Sequence, residues 1–274
     1  MAATLLTILA ATRDRVRHLA PRRDELERAA AAAPPPVAWS LAFGGREVQV
    51  IAEIKRRSPS AGAIAPDLDP VAHARGYVSG GAAAISVLTD DRHFGGSLDD
   101  LAAVRRAVTV PVVRKDFILD PIQVFETRAA GASAVLLIVK ALDPGALAEL
   151  DAVSRSLGLA RLIEVHTLAE LDRAVSLAPE TIGVNARDLD TFAIDLTGAG
   201  AVLEAVPPGV VAVAESGIRT RADVERVAAW GADAILVGTA LAGAPDPATA
   251  VRGLAGVARV GRQARGSNWE ETAT

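Results

Sequence analysis

Residues 48–62 read VQVIAEIKRRSPSAG. The run Val48–Ile54 has the length and apolar content of a strand. Alternation along it puts Glu53 and Lys55 on one face, with Ala52 and Ile54 on the other. A buried parallel strand normally reads as unbroken Val, Ile, Leu and Ala. Ionisable groups at its carboxyl end are costly in a core and are expected where strand ends ring an active site. A structural ion pair would account for two charges alone. The loop that follows, Arg56 to Gly62, is cationic and rich in Ser, Pro and Gly, which suits it to holding an anion.

Seven further runs resemble this one: Ala83–Leu88, Val110–Lys115, Ala134–Val139, Ala160–Val165, Thr181–Asn185, Val210–Glu215 and Ala234–Val237. Successive starts lie 35, 27, 24, 26, 21, 29 and 24 residues apart. A strand, a helix and two loops need about that length. Helical spacing of apolar residues fills the gaps, over Pro70–Val78, Leu98–Val108, Pro121–Ala130, Pro144–Leu157, Leu168–Leu177, Leu196–Val206 and Arg221–Ala229. Gly81, Gly131 and Gly231 each begin a Gly-Ala-x-Ala echo between helix and strand, which shared loop geometry explains without gene duplication. Eight such units predict an α/β chain closed as a single (β/α)8 TIM barrel. A doubly wound open sheet is the alternative, but no Gly-x-Gly-x-x-Gly follows the first strand.

Residues 1–47 precede the barrel and carry two helical patterns, Thr4–Leu19 and Arg22–Ala33, stopped by Pro34-Pro35-Pro36. They are expected to pack on the barrel 48–265, near its mouth. Residues 266–274 are expected to be a frayed tail. Among 274 residues, 50% are hydrophobic and only 3% aromatic, so the core must be built of small and branched aliphatics. The net charge of -4 argues against a general nucleic-acid or anionic-membrane surface. Zero cysteines excludes disulfides, thiolate metal sites and thiol nucleophiles. The four histidines, His18, His73, His93 and His166, are scattered, and no metal or cofactor is inferred. Apolar Leu5–Leu9 comes before Arg13, Arg15 and Arg17, the reverse of a secretory signal. No apolar run approaches the ~18 residues of a membrane span. A cytoplasmic protein is expected.

The other strand ends supply the rest of the chemistry. Lys115 shares parity with Val113 and should enter the lumen, where cations and partial desolvation would lower its pKa toward proton-transfer range. It could act as a general acid or as a Schiff-base nucleophile. Glu164 and Glu215 each end an apolar strand, and with Glu53 they suggest one shared site. Asn185 can fix a hydroxyl, and Arg187 can bind a carboxylate bidentately. His166 reads as a loop hydrogen-bonder rather than a catalyst. Ser216-Gly217-Ile218 and Gly238-Thr239-Ala240 follow the seventh and eighth strands, the usual phosphate position in such barrels. The expected partner is a small phosphorylated molecule.

Together these motifs resemble the indole-3-glycerol phosphate synthase family. The stretch from Glu53 to Gly62 is similar to its most specific signature. Further matches are Leu88-Thr89-Asp90, Phe94-Gly95-Gly96-Ser97, Arg114 to Ile118, Leu136-Leu137-Ile138, Leu162 to His166, Gly183 to Leu189 and Ala214 to Ile218. They run in family order over residues 48–241, and the family's N-terminal extension accounts for residues 1–47. The resemblance implies a lyase of tryptophan biosynthesis that closes, decarboxylates and dehydrates 1-(2-carboxyphenylamino)-1-deoxyribulose 5-phosphate without a cofactor. It implies Lys115 as proton donor to the ketone, and acid–base work shared among Glu53, Lys55 and Glu164. Ser58, Asn185, Arg187 and Glu215 would position the carboxylate and hydroxyls. Gly217, Gly238 and Thr239, with Ser216, would hold phosphate, and Phe94, Phe117 and Leu137 would wall the aromatic ring. Many members carry Lys in place of Ala61, Asn in place of Ala186, an aromatic in place of Ile122, and Glu or Ser in place of Thr239. Other phosphosugar barrels, isomerases or Schiff-base aldolases, are the rival enzymes. A catalytically dead phosphate binder is the rival from outside enzymology.

Overall fold

The structure is a computed structural model that describes residues 4–262. The expected tail 266–274 and positions 263–265 lie outside the described residues. Eight barrel strands are labelled in chain order: β1 (Gln49–Ile54), β2 (Ala84–Leu88), β3 (Val112–Lys115), β4 (Ala134–Ile138), β5 (Ala160–Val165), β6 (Thr181–Asn185), β7 (Val211–Glu215) and β8 (Ala234–Val237). Each pairs in parallel with its two neighbours, and β8 closes on β1. The TIM barrel expected from the strand spacing is the observed fold. Its third strand begins two residues later than the apolar pattern suggests, because Pro111 has no N–H for the ladder. The Pro111 carbonyl still accepts from Ile85, at 3.0 Å.

Local chemistry sets each strand–helix junction. Asp69, Asp120 and Asp143 accept first-turn amides just before Pro70, Pro121 and Pro144, whose missing N–H costs nothing at that position. Ser97, Thr167 and Thr220 cap three other helices. At the return turns Gly81, Gly131 and Gly231 all adopt left-handed φ, at 99°, 84° and 88°. A β-carbon would be strained there, so the sequence echo marks one turn geometry used three times.

Period-two alternation divides the apolar residues into two layers. Val135, Leu137, Ile163, Val165, Ile182 and Val184 face outward under the helices. Ile51, Val113, Leu136, Ile138, Leu162, Val213 and Leu236 fill the lumen. The registers Asn185↔Glu215 and Ile138↔Glu164 bring the polar strand ends level at one rim.

The segment before β1 touches both ends of the barrel. Thr4 caps the helix Leu5–Leu19, whose Arg15 meets both oxygens of Asp116 at 2.8 Å. The helix Arg23–Ala32 packs on Pro121–Ala129. Farther on, the Trp39 indole N–H donates to Thr181, the first residue of β6, at 3.0 Å, and so closes the amino-terminal end of the lumen. Among the described residues no helix is long and apolar enough to cross a membrane.

Candidate active site

The carboxyl ends of the strands open into a cavity of about 370 Å³. Lys115, the last residue of β3, projects inward and places Nζ 2.9 Å from Glu215 Oε2 and 3.1 Å from Glu164 Oε2. The other Glu164 oxygen accepts from Asn185 Nδ2 at 3.0 Å. Asn185 in turn accepts the Arg187 amide N–H, also at 3.0 Å. Across the lumen, Lys55 Nζ lies 3.3 Å from Glu53 Oε1 and 6.0 Å from the Phe94 ring centroid. Carboxylates from β1, β5 and β7 thus converge on two amines, one at the end of β3 and one just after β1.

Two glycines make room for the acids. A β-carbon at Gly183 on β6 would come within 2.1 Å of Glu215 Oε1, and one at Gly238 within 2.2 Å of Glu53 Oε1. Glu53 Oε2 and Glu215 Oε1 are buried with no hydrogen-bond partner among the described residues. A carboxylate oxygen left this way is costly, and a ligand hydroxyl would relieve it.

Burial opposes the charge on Lys115, but Glu215, Glu164 and Glu53 outweigh it and hold the ammonium above its ordinary range. The depressed lysine expected from the sequence is therefore corrected: its neighbours are acids, not cations. Burial likewise works against ionised Glu164. Lys115, His166 and the Asn185 hydrogen bond override it and hold Glu164 below the usual carboxylate range. Glu215 goes the other way, pushed up to about 7 by burial, with Glu164 and Glu53 adding repulsion that Lys115 only partly offsets. Environment thus separates two acids that touch one amine.

Of the residues singled out from sequence, Glu53, Lys55, Ser58, Phe94, Lys115, Phe117, Glu164, Asn185, Arg187, Glu215, Ser216, Gly217, Gly238 and Thr239 all line this cavity. Leu137 does not. It is fully buried on the outer face of β4, and alternation turns Leu136 and Ile138 inward instead. The cavity-lining place assigned to Leu137 is therefore taken by its two neighbours. Of the departures from the family pattern, Ala61 and Thr239 line the cavity; Ala186 belongs to the outer apolar layer and Ile122 is buried away from it. Sequence reasoning missed Leu5 and Ile8, which the N-terminal helix lays over the mouth, and Leu189, Phe192 and Ile194 from the loop after β6. The amphipathic pattern of the helix was a usable signal for the first pair. The loop residues had none.

In the loop after β7, Ser216 and Gly217 are both left-handed, with φ of 66° and 78°. Left-handed φ is uncommon for serine and tends to occur where a site demands it. Among the described residues no acceptor takes the amide N–H of Ser216, Gly217 or Ile218.

A parallel barrel with charged strand ends meeting at one cavity defines a (β/α)8-barrel enzyme of acid–base chemistry. Residues 5–254 match the indole-3-glycerol phosphate synthase family. An indole-3-glycerol phosphate synthase of Mycobacterium ulcerans is 50% identical over 230 residues, covering 84% of this chain and 85% of that protein. One from Dehalococcoides mccartyi is 49% identical over 223 residues, covering 80% and 86%. The chain belongs to the indole-3-glycerol phosphate synthase family. Among solved structures, a 3-hexulose-6-phosphate synthase aligns at TM-score 0.61 with 18% identity, over 76% of this chain and 98% of that one. Thiamine phosphate pyrophosphorylase from Pyrococcus furiosus aligns at 0.57 with 20% identity, over 76% and 93%. Those two likenesses speak to the fold alone.

Proposed function

We propose that this enzyme converts 1-(2-carboxyphenylamino)-1-deoxyribulose 5-phosphate into indole-3-glycerol phosphate, carbon dioxide and water, as a cytosolic step of tryptophan biosynthesis. The observation that carries the reading is Lys115 Nζ set between Glu164 and Glu215 inside one cavity. In ring closure the aromatic carbon bearing the carboxylate attacks the ketone carbon, and the carbonyl electron pair takes a proton from the Lys115 ammonium. Loss of carbon dioxide returns its bonding pair to the ring. In dehydration the new hydroxyl leaves as water with one proton, and the adjacent carbon gives up another to a base. Glu164 suits that last role because it is held anionic and hydrogen-bonded to Lys115, so the proton can pass back to the amine. Glu53 and Lys55, already paired, are placed to share the acid–base work at the leaving hydroxyl. The Schiff-base alternative needs a neutral amine, which the three acids around Lys115 disfavour.

Arg187 and Lys55 supply cations for the substrate carboxylate and phosphate. Asn185, Glu215 and Ser58 offer partners for the hydroxyls. Phe94, Phe117, Leu136 and Ile138 enclose the aromatic ring, and the Ser216-Gly217 and Gly238-Thr239 loops receive the phosphate through amide N–H groups. A crystal structure with the substrate analogue whose ketone is reduced to an alcohol tests this arrangement. The expected pose puts phosphate against the Gly217 and Gly238 loops and the alcohol oxygen within about 3.2 Å of Lys115 Nζ. Phosphate bound elsewhere, or an alcohol turned away from Lys115, would overturn it.

A further inference from the structure

Immediately behind Glu164 lies a histidine that the reaction above does not use. The His166 side chain is only 8% exposed. Its Nε2 lies 3.5 Å from Glu164 Oε1, and among the described residues that buried nitrogen has no hydrogen-bond partner. Its Nδ1 lies 3.1 Å from Glu170 Oε2. The same Glu170 oxygen accepts the His166 backbone N–H at 2.8 Å, fixing ring and main chain to one anchor. Glu170 sits in the first turn of the helix Leu168–Val175, which Thr167 caps, so the anchor is itself placed by local structure.

We propose that His166, oriented by Glu170, is a positioning residue for Glu164: its imidazolium fixes and charges the Glu164 carboxylate for proton transfer. Three features carry the inference. A carboxylate at Nδ1 keeps a proton on that nitrogen in every state, so the ring can differ only at Nε2, which faces Glu164. Glu164 Oε1 accepts one hydrogen bond, from Asn185 Nδ2, and has the positive edge of His166 3.5 Å away, while Oε2 is left to exchange with Lys115. Finally, the acids outnumber the cations around the ring. Glu164 faces it from β5 and Glu170 from the following helix. Lys140, after β4, is a cation nearby but is spoken for by Asp188 and Asp190 at 2.9 and 2.8 Å. Burial works against the charged ring, yet Glu170 and Glu164 prevail over it and over Lys140, and the imidazolium is favoured beyond the usual histidine range.

Loss of the imidazolium charge should make Glu164 take up its proton more readily. The acid limb of the kcat/KM–pH profile, where Glu164 is neutralised, should then move to higher pH. An opposite charge at roughly 4–6 Å depresses a carboxylate by about one to three units. His166→Gln, which keeps a donor but not the charge, is therefore expected to move that limb up by at least one unit. Glu170→Gln should move it the same way by less. A fall in rate that is equal at every pH, or a limb that does not move in either variant, overturns the proposal. The inference rests on the reading of Glu164 as an acting group, so a second readout is independent of turnover. The 15N-labelled imidazole of His166 should titrate at least about one unit lower in Glu164→Gln than in the wild type. An unmoved midpoint overturns the His166–Glu164 pairing, whereas full turnover by Glu164→Gln would instead overturn the role given to Glu164.

Discussion

Gly183→Ala introduces one methyl group into the lumen, and its consequence can be followed atom by atom. The new β-carbon would stand 2.1 Å from Glu215 Oε1 and 3.2 Å from its Cδ, with Leu162 Cδ1 at 3.3 Å. Ordinary contact begins near 3.4 Å, so the carboxylate must retreat by about 1.3 Å (3.4 minus 2.1) or the strand must shift. Either movement is expected to disturb the 2.9 Å contact that the other oxygen of Glu215, Oε2, makes with Lys115. Overpacking of this kind costs about 1–3 kcal/mol. A displacement near an ångström in an active site lowers turnover on the order of 10²-fold. The assay pairs thermal and urea unfolding with indole fluorescence for product formation. A double-mutant cycle isolates the cause: with Glu215→Ala present, the added methyl meets only the yielding tip of Leu162. Its stability cost should then fall below about 1 kcal/mol. If Gly183→Ala retains full turnover and stability, or costs the same with and without Glu215, the reasoning that glycine makes room for this acid is wrong.

Other perturbations are equally specific. Glu215 has a folded pKa raised from 4.5 to about 7, so the folded state binds its proton more tightly than the unfolded chain. Its contribution is fully present below pH 4.5 and is lost as pH rises through 7, a swing on the order of 3 kcal/mol. Urea titrations should show Glu215→Gln gaining stability relative to wild type across that window, and parallel pH curves would contradict it. Asp116→Asn leaves Arg114, 1% exposed, and Arg15 without their shared anion; breaking such a buried pair costs about 3–5 kcal/mol in urea unfolding. A loss too small to measure would show that the N-terminal helix does not depend on it. The hydroxyl of Tyr77 is buried with no partner among the described residues. Tyr77→Phe should be neutral or stabilising, and a loss above about 1 kcal/mol would reveal a partner for that oxygen.

The barrel was legible because its grammar is local. Apolar runs at regular spacing, helix caps beside proline and left-handed glycines at the return turns each act within a few residues. The charged rim was legible for the same reason, since parity and position at a strand end place Lys115 and Glu164. Leu137 shows where that logic was not applied: the parity that sends Glu164 inward on β5 sends Leu136 and Ile138 inward on β4. The ionisation of Lys115 was misread because the sign of a shift depends on neighbours 49 and 100 residues away in the chain. Likewise Phe192 and Ile194 reach the cavity through a loop with no periodicity to read. The space demanded by Glu53 and Glu215 was hidden in Gly183, which looked like an ordinary member of its strand, and in Gly238, which was read only for phosphate.

In the proposed reaction, ring closure depends on the Lys115 ammonium as its proton source. The most direct test of this role is the single-turnover rate of indole-3-glycerol phosphate formation by Lys115→Ala beside the wild type. Removal of a placed general acid should slow the step by about 10²–10⁴-fold, with the unfolding transition still cooperative. Turnover at the wild-type rate in that variant would contradict the central claim.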